Sequence, residues 1–157
     1  VTVIAWDGHR FAVDSACTDG VVLQRVPKLS LFERHGRLHA CAATGTARAA
    51  AAMSEWLARG AEPENFPSIA EKDDTTLIVL DLEATRVHEF NGARWGYEVE
   101  SVPFAWGSGG ALALGAMLAG ADALEALGHA CAHVTDCAGP IRYVTRGTVG
   151  DIRTLEA

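Results

Sequence analysis

No apolar run in this 157-residue chain approaches the ~20 residues that a membrane-spanning helix needs. Nor does it open with a basic segment followed by an apolar one, so no secretory signal is expected and the cytoplasm is the expected location. Positive charge is scarce. Thirteen Lys and Arg against twenty Asp and Glu leave a net charge of -7, which disfavours nucleic acid and anionic membranes as partners. The four cysteines, Cys17, Cys41, Cys131 and Cys137, have no CxxC spacing and lie in apolar or small-residue segments, as reduced core thiols do. Fixed-period repeats and low-complexity tracts are missing too. His129 and His133 stand four apart on an expected helix near Cys131, Asp136 and Cys137. Cys131 would point away from their shared face and no HExxH glutamate accompanies them, so no metal is expected there.

What remains is a chain 49% apolar and 21% charged, long enough to bury roughly 70% of its unfolded surface. One domain over residues 1–157 is expected. Strands are expected over Val1 to Trp6, Phe11 to Val13, Val21 to Leu23, Leu29 to Phe32 and Arg37 to Ala43. Pro27 favours a strand start, which places Lys28 at the beginning of one. Thr44-Gly45-Thr46 opens a helix from Ala47 to Arg59, closed by Gly60. Ala61 to Asp74 reads as a loop or at most one short helix. Strands follow over Thr75 to Leu82, Arg86 to Phe90, Trp95 to Val99 and Val102 to Trp106. Two Ala- and Leu-rich helices then run in series, Ala111 to Ala119 and Asp122 to Val134, the second capped by Asp122. Ile141 to Thr145 and Val149 to Ile152 are the expected final strands. Hairpin connections in place of βαβ crossovers point to antiparallel sheets with helices outside, and an α+β four-layer αββα sandwich fits that order.

The chemistry concentrates in the first eighteen residues. A threonine is a weak nucleophile until a base takes its proton, and the α-amine of the same residue, with a pKa of roughly 7.7 to 8, can serve when that residue is terminal. Thr2 is such a candidate, provided Val1 is removed. The Asp7-Gly8 pair is a strong hairpin signal and links the first strand to a second that carries Asp14. A strict two-residue turn there would pair Asp14 with Val1 and leave Thr2 opposite Val13, facing away from Asp14. A three-residue turn or a bulge would restore them to one face.

Several short patterns together resemble a known family. They are Thr2-Val3-Ile4-Ala5, Ala12 to Thr18 as Ala-x-Asp-x-x-x-Thr, Val26-Pro27-Lys28-Leu29, Cys41 to Ala47, and Ala105 to Gly110. In this order they resemble the β-type subunits of the proteasome family, especially the bacterial HslV-like and proteasome-homologue branches, all N-terminal nucleophile hydrolases. The resemblance spans nearly the whole chain. It implies an Ntn-hydrolase fold and a threonine-type peptidase that attacks amide bonds without a cofactor. Position by position, Thr2 resembles the nucleophile, Lys28 the active-site lysine and Asp14 the acid that holds it. Gly45 resembles the oxyanion donor, Ser108 the serine of the Gly-Ser-Gly turn near the terminal amine, and Asp136 the late aspartate.

The resemblance also implies a peptide or protein substrate, a homo-oligomer of stacked rings and an AAA+ unfoldase as partner. The pattern is departed from in three places. Val1 precedes Thr2, the first hairpin is short, and the late serine is replaced by Ala138 or Gly139. An inactive structural or interaction subunit with the same fold is the alternative reading.

Overall fold

The computed structural model describes residues 2–19, 22–92, 94–147 and 150–156. Among these, twelve strands and four α-helices alternate in blocks. The strands β1 (Val3–Trp6), β2 (Arg10–Val13), β3 (Ala16–Asp19), β4 (Val22–Arg25), β5 (Ser30–Arg34) and β6 (Arg37–Ala43) come first. Helix α1 (Ala47–Ala58), a 3-10 turn (Pro63–Asn65) and α2 (Ser68–Lys72) follow, then β7 (Leu77–Asp81), β8 (Arg86–Phe90), β9 (Gly96–Val99) and β10 (Phe104–Gly107). Helices α3 (Gly110–Leu118) and α4 (Ala123–His133) lead to β11 (Ile141–Thr145) and β12 (Arg153–Leu155).

Two five-stranded antiparallel sheets result, ordered β10-β1-β2-β11-β12 and β5-β6-β7-β8-β9, beside a two-stranded hairpin of β3 and β4. Period-2 alternation divides the first sheet between two cores. Ile4, Trp6, Phe11 and Val13 pack with Ala40, Ala42, Ile78 and Leu80 of the second sheet. Val3, Ala5 and Ala12 point the other way, onto Ala113, Leu127 and Ala130 of α3 and α4. On the far face of the second sheet, Cys41, Leu77 and Val79 meet Met53, Trp56 and Leu57 of α1. The small side chains of β1, β2, α3 and α4 allow close helix-on-sheet approach, which bulky residues would prevent. Across the gap between sheets, Trp106 Nε1 donates to a Glu89 carboxylate oxygen at 2.8 Å.

Local chemistry sets the helix ends. The Thr46 hydroxyl accepts from Ala49 N at 3.3 Å and caps α1, while Asp122 and Glu125 form a reciprocal capping box on α4. Buried Ala49, Met53, Trp56 and Leu57 recur at helical spacing on the inner face of α1.

The structure departs from the sequence expectations at definite places. Ala16 to Asp19 forms a strand that the sequence pattern does not announce, because its partner β4 is exposed throughout and carries no alternation. Lys28 is not in a strand; it lies in the extended segment that precedes β5. Residues 61–74 hold both a 3-10 turn and a short helix. The last strand falls at Arg153–Leu155 instead of Val149 to Ile152, of which Val149 lies outside the described residues, as do Val1 and Val21 of the other expected strands. No described helix is long and apolar enough to cross a membrane.

Candidate active site

The site begins with a register. Ile4 pairs with Val13, Ala5 with Ala12 and Trp6 with Phe11, so the tight turn is centred on Gly8 and His9, one residue later than the Asp7-Gly8 turn expected. Asp7 moves into the last pair, and its carboxylate accepts from the backbone N–H groups of His9 and Arg10 at 2.8 and 2.7 Å. This shift pairs Asp14 with Val3, not Val1, and Asp14 N donates to Val3 O at 3.2 Å. Alternation alone would still direct the Thr2 and Asp14 side chains to opposite faces. Strand β2 ends at Val13, however, and the Asp14 carboxylate turns back onto the end of the β1–β2 ladder, where Oδ1 accepts from Val3 N at 3.0 Å. Neither a bulge nor a three-residue turn is needed.

Asp14 is 1% exposed and its charge is fully engaged. Oδ2 accepts from Ala16 N at 3.0 Å, and Oδ1 also accepts from Lys28 Nζ at 2.9 Å. The Lys28 ammonium in turn lies 3.0 Å from Thr2 Oγ1 and donates to it. Thr2, 3% exposed, Lys28 and Asp14 thus form one hydrogen-bonded chain in a nearly dry environment. A charge so placed is worth more than at the surface and favours the deprotonated form of whatever it faces.

Two glycines give the nucleophile end its shape. Gly107 pairs with Val3 across β10 and β1 with φ at +88°, and a Cβ there would fall 2.0 Å from the Thr2 carbonyl oxygen. Gly45, at φ +96°, opens α1 beside Thr75, whose Oγ1 would lie 2.4 Å from an added Cβ. Any side chain at either place would be strained and would collide. Gly45 lines a cleft of about 260 Å³ together with Thr2, Lys28, Cys17, Ser30 and Ser54.

The structure therefore brings Thr2, Asp14 and Lys28 into contact and sets Gly45 in the same cleft. Ser108 approaches from the turn before α3, its Oγ 3.4 Å from the Thr2 carbonyl oxygen. Asp136 is half-buried in the turn after α4, where its charge bears on the Cys137 thiol; it makes none of the hydrogen bonds that join Thr2, Lys28 and Asp14. The described residues hold no group of three or more metal-ligating side chains.

Other participants were not expected from the sequence. Cys137 Sγ packs against the glycine turn before α3, 2.9 Å from where a Cβ at Gly109 would stand, which sets the late turn beside Ser108, and Ser15 is tied to that turn through Ser15 N to Ala138 O at 2.9 Å. Burial above all, and then the Asp14 charge, push the Cys137 thiol up; the same two causes push Cys131 up to about 12. All four cysteines are free, yet Cys17 lines the cleft instead of packing in the core. The one available signal was its place in the Ala-x-Asp-x-x-x-Thr segment.

No protein-family model and no curated protein sequence matches the chain. Solved structures do. The Gly-1 mutant of Anbu from Hyphomicrobium sp. strain MC1 superposes with a TM-score of 0.78 at 14% identity, over 100% of this chain and 88% of that one. Anbu, the ancestral beta-subunit, from Yersinia bercovieri gives 0.78 at 13% identity, over 99% and 88%. HslV from Trypanosoma brucei gives 0.65 at 18% identity, over 92% and 97%. The branches expected from the sequence were the HslV-like and proteasome-homologue ones, and Anbu, a related branch, gives the higher TM-score of these structures. At such identities the likeness is one of fold: the chain has the proteasome-like N-terminal nucleophile hydrolase fold of Anbu and HslV.

Proposed function

We propose that this chain is a threonine-type N-terminal nucleophile hydrolase that cleaves amide bonds in peptides. The observation that carries the reading is the single ammonium of Lys28, 3.0 Å from Thr2 Oγ1 and 2.9 Å from Asp14 Oδ1. With residue 1 removed, the freed Thr2 amine takes the hydroxyl proton as Oγ1 attacks the carbonyl carbon. An acyl-enzyme ester forms, the amine returns the proton to the leaving nitrogen, and water then hydrolyses the ester. Lys28 lowers the proton affinity of Oγ1 throughout, and Asp14 holds Lys28 in place. The backbone N–H of Gly45 is the assigned oxyanion donor, a position where the absent side chain lets a carbonyl approach. Ser108 and Asp136 are assigned to the surroundings of the freed amine, Ser108 on the strength of its approach to the Thr2 carbonyl. The layers run α, β, β, α in one domain, and the working form is a cytoplasmic homo-oligomer fed by an unfoldase, by analogy with a fold found in a protein described as a beta-subunit.

Intact mass of protein expressed from its own start, before and after treatment with a β-lactone, tests this. A chain that begins at Thr2 and gains one adduct, lost in Thr2→Ala, is the expected result. A chain that retains residue 1, or begins at Thr2 and stays unlabelled, would establish the alternative, a non-catalytic subunit.

A further inference from the structure

Strand β9 is the last strand of the second sheet and β10 the last of the first, and residues 100–103 alone join them. Two free edges therefore meet at one corner of the molecule, tied across the gap by the hydrogen bond from Trp106 to Glu89. An outermost strand turns the N–H and C=O of every second residue away from its one neighbour, so β9 has main-chain groups to offer. Its register with β8 is regular, and it has neither the bulge nor the proline that closes many edges. The side chains around it are large and uncovered: Trp95 is 68% exposed, Tyr97 49% and Val102 54%.

Carboxylates outnumber cations at this corner. Arg86 is bridged to Glu98 at 3.7 Å and Arg94 to Glu71 at 2.7 Å, while Glu89 and Glu100 enter no ion pair among the described residues. Aromatic donors hold Glu89 instead. Tyr97, its cross-strand partner, donates through Oη to Oε1 at 2.5 Å, and Trp106 Nε1 donates to Oε2 at 2.8 Å, with the Phe104 ring 4.9 Å from that of Trp106. A carboxylate set among aromatic rings attracts an organic cation twice, by its charge and through the ring faces. Its hydrogen bond also pushes the Tyr97 phenol up, so that ring stays neutral while its face gains electron density. Charge argues against a second copy as the occupant. Antiparallel pairing of β9 with itself would crowd Glu98 and Glu100 of both chains together, in a molecule of net charge -7.

We propose that the β9 edge docks a basic partner protein, an extended segment of which adds to the sheet beside β9 and lays a lysine or arginine over Tyr97, against the Glu89 carboxylate. Main-chain hydrogen bonds supply the attachment, and the cations supply the choice of partner. Because side chains alternate along a strand, cations two residues apart in the segment fall on the one face that Tyr97 and Glu89 share. The docking involves no reaction and is independent of the reading of Thr2.

Calorimetric titration of the full chain with a short blocked peptide of alternating threonine and lysine tests the proposal. It is expected to bind about tenfold more tightly than its glutamate counterpart. A peptide of the same composition with its lysines consecutive has the same charge but cannot gather it on one face, and should bind about threefold more weakly. Trp95→Ala and Glu89→Gln should each weaken the alternating peptide about threefold, the effect of one exposed cation–π contact or ion pair. Trp95 is exposed and precedes the strand, so its removal leaves the fold intact, and glutamine keeps an acceptor oxygen for one of the two aromatic donors. Equal affinity for lysine and glutamate peptides, or for alternating and consecutive lysines, would reduce the effect to net charge and overturn the proposal. So would an affinity that both variants leave unchanged, or no uptake of the lysine peptide at millimolar concentration. Displacement by butylammonium at the concentration of the peptide would assign the corner to free cations instead of a strand. A dimer of the chain alone in sedimentation, lost in Trp95→Ala, would assign it to a second copy.

Discussion

The first hairpin carries an aspartate near each end, and the two are put to different use. Asp7, at the turn, accepts from His9 N and Arg10 N through one oxygen and from Ala123 N of α4 through the other. Asp14, at the open end, likewise accepts from two backbone N–H groups, those of Val3 and Ala16. Both carboxylates tie the hairpin to its neighbours. The cations beside them differ. At the turn, Arg10 pairs with Asp122 in a bridge whose side chains are 32% and 40% exposed. At the open end, the Lys28 and Asp14 side chains are 10% and 0% exposed, and the ammonium reaches on to a threonine hydroxyl. A carboxylate saturated by main-chain donors is a structural device at either end. Burial and a third group turn one of them into a candidate for chemistry.

The largest effect should come from the buried end. Asp14→Ala removes the carboxylate that Val3 N, Ala16 N and the Lys28 ammonium share, leaving the ammonium its bond to Thr2 Oγ1 but no counter-charge at 2.9 Å, and breaking such a buried pair typically costs about 3–5 kcal/mol. Urea unfolding should register most of that loss, and lactone labelling should disappear with it. Asp14→Asn retains one acceptor oxygen and so separates fold from chemistry: it is expected to unfold at a higher urea concentration than Asp14→Ala and still to resist labelling. If Asp14→Asn labels at the unaltered rate, the buried end is only a structural device as well.

Asp7→Ala is the counterpart and should cost less, about 1–2 kcal/mol, because the N–H groups it abandons lie at a half-exposed turn and a helix N-terminus where water can replace it. Five residue-to-residue steps along β1, roughly 16 Å, separate it from Thr2. The expected result is a lower urea midpoint with the labelling rate intact. A labelling rate that falls in proportion to stability would mean that the hairpin acts as one unit and that the contrast between its ends is not local.

Much of this was legible in the residues. Alternation and turn residues located most strands, the capping threonine and aspartate located two helices, and Thr2, Asp14 and Lys28, which meet in the candidate site, were singled out by the family resemblance of the ordered patterns around them. What was not legible depended on contacts distant in sequence. The turn slid by one residue because Asp7 satisfies two N–H groups from within the last pair, and a local turn propensity does not contain that. Asp14 reaches Thr2's neighbourhood by leaving the strand, which alternation cannot express. Strand β4, exposed throughout, has no buried face to write a pattern. Cys137 packs against Gly109 only because α4 brings the late turn beside the glycine turn before α3. Gly107 is the instructive case: the glycine run was visible, but its reason, the Thr2 carbonyl 2.0 Å from where a Cβ would stand, belongs to the β1–β10 pairing.

The smallest effect sharpens the exposed end. Asp122 caps α4 and also pairs with Arg10, and the two roles are separable because asparagine caps a helix as well as aspartate does. Desolvation tends to raise the Asp122 carboxyl, but the Glu125 N–H, the Arg10 charge and the Leu124 N–H outweigh it and hold the group below its ordinary value. A carboxylate depressed in the folded state stabilises above its unfolded pKa of about 3.9, and that contribution is lost as the pH falls through the lower folded value. Asp122→Asn should therefore be less stable than the unaltered chain at neutral pH by under about 1 kcal/mol, the usual ceiling for an exposed pair. The gap should shrink from about pH 4 downward, and added salt should shrink it at pH 7. A gap that persists into acid and ignores salt would assign the loss to the cap instead of the charge. The exposed end would then owe its stability, as the buried end does, to main-chain donors first and to its cation second.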